Sequence, residues 1–170
     1  MAVEIGFRDL YIPLSSPDEG QPDRVPISML DDDERSHVHG TLWIRVNGTD
    51  LPALGFFGVD DACMGTWAAE LAAAVKELRR SDPARYVFDE GEQGQPAFAF
   101  DRDSQTVTIR VEPSAFGDGV ALASAWQPQT CSLDEFNQQV EAFLGALATT
   151  LTSATPKGSG WVAARVREAG

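Results

Sequence analysis

The chain is short of the residues that carry most chemistry. Its 170 residues include two cysteines and two histidines. Cys63 and Cys131 allow one disulfide at most and no disulfide framework. Cys63 falls in the first turn of a predicted helix and Cys131 just before another. A helix N-terminus can lower a thiol pKa, but no histidine is near either in sequence. The plain reading is two buried, idle thiols in a reducing compartment.

Basic charge is scarce as well. Thirteen Lys and Arg stand against 26 Asp and Glu, giving a net charge of −13 and a pI near 4.4. A field of that sign repels phosphate backbones and anionic lipid, so neither nucleic acid nor membrane is expected as a partner. It favours a basic protein partner, although the same charge also serves solubility alone. No apolar run approaches the ~18 residues of a membrane span. The opening MAVEIGFRDLYIPL is interrupted by Glu4 and Asp9 and lacks the basic start and long apolar stretch of a signal peptide. A cytoplasmic protein is expected.

Catalytic signatures are missing too. There is no G-x-S-x-G elbow. Gly91–Gly94 and Gly117–Gly119 lack the third glycine and following helix of a dinucleotide loop, and residues 156–160 are not a P-loop. No cofactor is expected.

What is present is a pattern of short strands and two long helices. Residues 2–12 alternate, with Val3, Ile5, Phe7 and Tyr11 inward. Residues 13–36, rich in Pro, Asp and Ser, read as a long acidic surface loop. Val38–Val46 is a strand, Asn47-Gly48 a type I′ turn, and Leu51–Val59 the returning strand. Asp60 and Asp61 are placed to cap a helix over about 61–80, with Arg79 and Arg80 at its C-terminal end. Strands follow at 85–88, 97–100 (Phe98 and Phe100 on one face), 106–111 (Val107, Ile109 and Val111 inward) and 120–126. Ser132-Leu133-Asp134-Glu135 is a capping box opening a helix over about 133–151, whose stripe is Phe136, Val140, Phe143, Leu144, Leu147 and Leu151. Residues 152–170 read as a linker and tail.

The expected fold is therefore α+β: one domain over 1–151, with a mostly antiparallel sheet of about six to seven strands in the order β-β-β-α-β-β-β-β-α. The helices are expected on one face of the sheet, leaving the other for solvent or a partner.

Three groups of residues bear on function. His37-x-His39 puts two imidazoles on one face of a strand, and with the carboxylates upstream a metal site can be imagined; a solvated strand end needs no ligand, and no metal is expected. Asp31, Asp32, Asp33 and Glu34 lack the alternating ligands and central Gly of a calcium loop. They are the candidate surface for a basic partner, or simply a solvated run. Trp43 and Trp126 fall on predicted core faces and read as core rather than as ligand stackers.

The hairpin, the Trp/Leu helix, Phe98-x-Phe100, Thr-Val-Thr-Ile-Arg-Val, the segment ending near Trp126 and the acid-capped last helix together resemble the small bacterial immunity proteins of the WapI type, over roughly residues 37–151. The resemblance implies a non-catalytic inhibitor that neutralises a toxin. With the net charge, the expected toxin is basic, bound by charge complementarity. The alternatives are a general protein-interaction domain, or a small-molecule-binding domain or enzyme with an acidic site.

Overall fold

In a computed structural model, residues 2–13, 24–30, 37–55, 58, 60–90, 94–155 and 160 are described. The fold is α+β, built from two antiparallel sheets and three helices. The first sheet has five strands: β1 (Val3–Pro13), β2 (Arg24–Pro26), β3 (His39–Val46), β4 (Thr49–Asp50) and β5 (Ala62–Cys63). β1 lies between β2 and β3, while β4 and β5 pair with opposite ends of β3. Helix α1 (Met64–Arg80) follows. The second sheet then runs β6 (Ala84–Phe88), β7 (Ala97–Asp103), β8 (Thr106–Glu112) and β9 (Gln129–Ser132), in that spatial order. Helix α2 (Val120–Ala125) precedes β9, and α3 (Leu133–Ala154) closes the described chain.

The periodicities that predict these elements also bury them. α1 sinks Trp67, Leu71, Ala74, Val75 and Leu78; α3 sinks all six residues of its predicted stripe. Both helices and both sheets contribute to one apolar cluster. Phe7 of β1 meets Phe143 of α3 edge-on, and Phe100 of β7 meets Phe136. Trp67 packs against Phe88 and Phe98, and its indole N–H donates to the Leu54 carbonyl. The Asn-Gly turn forms as expected, with φ of 52° and 81°. At α3 the Ser132 hydroxyl accepts the Glu135 N–H, but the Glu135 carboxylate accepts Val3 N–H instead of reaching back to the cap. The helix start is thereby pinned to the first strand.

Several local expectations are corrected. Residues 120–126 form a helix and its C-cap, not a strand. Val120 and Leu122 are solvent-exposed, so their alternation is not a buried face, and Gln129–Ser132 takes the place beside β8 instead. Gly119 initiates α2 with φ of 72°, and a Cβ there would lie 2.4 Å from Pro96 Cα. The expected return strand after Leu51 does not form among the described residues: pairing stops at Asp50, where Pro52 removes an N–H and Ala53 takes a left-handed φ of 54°. Within residues 13–36, expected as a loop, Arg24–Pro26 form β2 and Ile27–Met29 a 3₁₀ turn. α3 runs three residues beyond 151. α1 starts at Met64 with Cys63 as its N-cap, so neither Asp60 nor Asp61 caps it.

Candidate functional site

The local reason Asp60 and Asp61 leave the helix start is electrostatic. Asp60 pairs with Arg24 at 2.8 Å. Asp61 turns inward, where its side chain is 4 % exposed. One of its carboxylate oxygens accepts the Tyr11 hydroxyl and lies 2.8 Å from His39 Nδ1. Tyr11 is present because β1 is irregular between Arg8 and Tyr11, with Asp9 at φ 54°. That irregularity shifts the register so that Tyr11 lies opposite His39. Tyr11 therefore belongs with His39 rather than with the inward face of Ile5 and Phe7. Arg24 sits 4.4 Å above its ring.

Cys63 of β5 is also directly opposite His39, and opposed residues in an antiparallel pair share a face. His37, two residues before His39, completes the group. Its Nδ1 is 3.8 Å from Cys63 Sγ, and the two imidazole rings are 6.2 Å apart in a T arrangement. One ligand atom each from His37, His39 and Cys63 lies within 4.8 Å of the others. His37 is exposed, His39 is 9 % exposed and Cys63 7 %.

The charges in this cluster reinforce one another. Burial opposes a thiolate at Cys63, but hydrogen bonds from His37, His39 and Thr66 outweigh it and bring the pKa down to about 5. The Cys63 bond in turn raises His37. Burial works against a charged His39, and the bonds to Cys63 and Asp61 overcome it, so its pKa is also raised. Burial and the Asp61 bond hold the Tyr11 phenol protonated. Cys131 is the contrast: burial and the Glu135 charge push it up to about 12, and its thiol donates to the Val107 carbonyl. Both cysteines are free and buried, but only Cys63 has reactive surroundings.

Two kinds of chemistry use such a group. Cys63, His39 and Asp61 stand in the order of nucleophile, base and orienting carboxylate. That arrangement leaves His37 without a role, and Cys63 has little surface to offer a substrate. A metal uses all three donors. Bonds of ~2.3 Å to sulfur and ~2.05 Å to nitrogen at tetrahedral angles place those two atoms roughly 3.6 Å apart, against the 3.8 Å found between Cys63 and His37. Asp61 then holds His39 Nδ1, as second-sphere carboxylates do for ligating histidines.

The same sheet face continues away from this cluster. Arg8 pairs with Thr41, Gly6 with Trp43, Glu4 with Arg45, and Arg45 with Asp50. All of these except Gly6, with Leu42, Leu51 and Leu54, line a cavity of about 520 Å³. Trp43 is half-buried there rather than in the core. Its ring lies across Gly6, where a Cβ would come within 2.3 Å of it.

Of the residues the sequence nominates, Asp31, Asp32, Asp33 and Glu34 lie outside the described residues. His39 is buried and not at a solvated strand end, while His37 is exposed but stands beside Cys63. What linked them to Cys63 was the β3–β5 pairing, which no sequence signal announces. No described helix is long and apolar enough to cross a membrane. No family model matches the chain, and no curated protein or solved structure matches it.

Proposed function

We propose that the protein binds a transition-metal ion of the zinc class through His37, His39 and Cys63. The observation that carries this reading is the convergence of their three ligand atoms within 4.8 Å. Two imidazoles and a thiolate suit zinc and its borderline neighbours, not calcium or magnesium, which take oxygen ligands. The hydrogen bond that His39 Nδ1 donates to Asp61 supports it by fixing the tautomer in which Nε2 would be left for the ion. With three protein ligands, a fourth position is left for water or an exchangeable group. The ion would fasten the chain before β3 to the start of α1. Titration of chelator-treated protein with cobalt(II) tests this. One equivalent should give a thiolate-to-metal charge-transfer band, lost in Cys63→Ala and weakened in His37→Ala. Binding that Cys63→Ala leaves unchanged overturns it.

A second reading, an immunity-type domain that binds a basic toxin, is supported by charge. Between Arg110 and Lys157 the chain has no basic residue but carries Glu112, Asp118, Asp134, Glu135 and Glu141. In the same stretch Phe116 is 73 % exposed, beside exposed Val120 and Leu122. An exposed apolar anchor in a stretch of chain without basic residues is what a basic partner would meet. Mixing the protein with a toxin encoded beside it tests this: a complex lost in Phe116→Asp supports it, and neither complex nor protection overturns it.

A further inference from the structure

We propose that the cavity on the open face of the first sheet binds a small carboxylate with a planar apolar body, its head held by Arg8 and its body by Trp43. This goes beyond the metal reading and stands without it. The cavity's volume of about 520 Å³ falls within the range of roughly 300–1,000 Å³ usual for small-molecule sites.

The place of the ligand's anionic head follows from how the lining charges are paired. Glu4, Arg8, Arg45 and Asp50 line the cavity. Arg45 engages Asp50 with two nitrogens, at 2.8 and 3.2 Å, and reaches Glu4 at 3.4 Å. Both acids are thus tied to Arg45, and the two acids and two guanidiniums of the lining balance in charge. Among the described residues no lining acid pairs with Arg8, so its fork is the one left to meet a ligand. Its ion pair is with Asp9, outside the lining, at 3.4 Å, and both side chains are about three-quarters exposed (70 % and 73 %); such pairs contribute little. A guanidinium fork in that state suits a carboxylate.

The shape of the ligand follows from Trp43. Its ring packs against β1 at position 6, where glycine is the residue type that leaves room for it. Trp43 thus supplies an aromatic part of a lining that also includes Leu51 and Leu54. A planar group stacks there at offset-stacking distance. Arg8 and Trp43 stand on adjacent strands one register step apart, Arg8 opposite Thr41 and Trp43 opposite Gly6. Head and body of one small molecule can therefore reach both, since steps of two residues span roughly 7 Å.

The test is an amide and indole NMR titration of chelator-treated protein, so that no metal ion bears on the result. Benzoate is the probe, with acetate and benzylamine as comparisons. Benzoate should shift the Trp43 indole N–H and the Gly6 and Thr41 amides saturably, acetate more weakly, and benzylamine not at all. Arg8→Gln should weaken benzoate about tenfold, as expected for a charge-assisted bond that is partly exposed. Trp43→Leu should abolish the preference for benzoate over acetate. Unshifted core amides in both variants establish that they fold. The proposal fails if benzoate causes no saturable shift at these positions, if Arg8→Gln binds it equally well, or if benzylamine competes with it.

Discussion

Replacing Asp61 with Asn tests whether this carboxylate sets the geometry of the metal-ligand cluster. The substitution keeps the shape and one acceptor oxygen but removes the charge from a side chain that is 4 % exposed. Asp61 receives two hydrogen bonds, from the Tyr11 hydroxyl and from His39 Nδ1 at 2.8 Å. Bonds to a buried charge are each worth about 1.5–3 kcal/mol, and about 1 kcal/mol when neutral. The amide can still accept from Tyr11, so the expected loss of folding stability is about 2–5 kcal/mol. Urea unfolding of the metal-free protein measures it. The amide also no longer fixes the His39 tautomer. Loss of such an outer partner lowers metal affinity by about 10–100-fold, read by competition with a chromophoric chelator. His39→Ala provides the limit in which the ligand itself is gone. If Asp61→Asn lowers stability but leaves zinc affinity unchanged, Asp61 is only an anchor and does not orient His39. If it changes neither, the buried network has been misjudged.

Zinc affinity should fall as pH drops from above 6.5, because an imidazolium must lose its proton to ligate and both His37 and His39 are raised above that value. Cys63, with its pKa near 5, adds to the loss only at more acid pH; competition titrations across this range should show that two-stage slope, and an affinity flat through it would contradict the assignment. Gly119→Ala should cost more than about 1 kcal/mol from the left-handed φ alone, and more again because the added Cβ meets Pro96 Cα at 2.4 Å; unchanged thermal stability would refute that. Phe136→Ala, at a fully buried site in contact with Phe100, should cost about 3–5 kcal/mol, whereas Ser132→Ala should cost only about 1 kcal/mol through its lost cap. Denaturant midpoints of the two variants check the ordering.

The long helices were legible because their burial is periodic and local. The stripe from Phe136 to Leu151 and the Ser132 cap can both be read within 20 residues of sequence. The Asn47-Gly48 turn was equally local. Residues 120–126 were misread because Val120 and Leu122 fit a strand's alternation, and nothing nearby says that both face solvent. The site was illegible for a different reason. Tyr11, His39, Asp61 and Cys63 come from three separate strands and the residue before one of them. Tyr11 enters only through a register shift in β1, and Asp61 only because a buried histidine competes successfully for it against the helix terminus. The two histidines were visible as a pair, but their third partner lies 24 residues beyond His39 and is delivered by a two-residue strand.

The bond from Val3 N–H to the Glu135 carboxylate joins residues 132 apart, and its consequence lies in the making of the protein. β1 leaves the ribosome before the other described elements, yet its inward face, with Ile5 and Phe7, is covered by α3, which is synthesised last among them. At about 5–20 residues per second, roughly 7–26 s separate the two. β1 can pair with β3 early in that interval, but the nascent sheet carries a bare apolar face until α3 arrives. The Thr155 hydroxyl bond to the Leu30 carbonyl, spanning 125 residues, closes the structure later still. The chain is most open to misassociation during this wait, and slowing translation between the codons for Val46 and Leu133 should lengthen it.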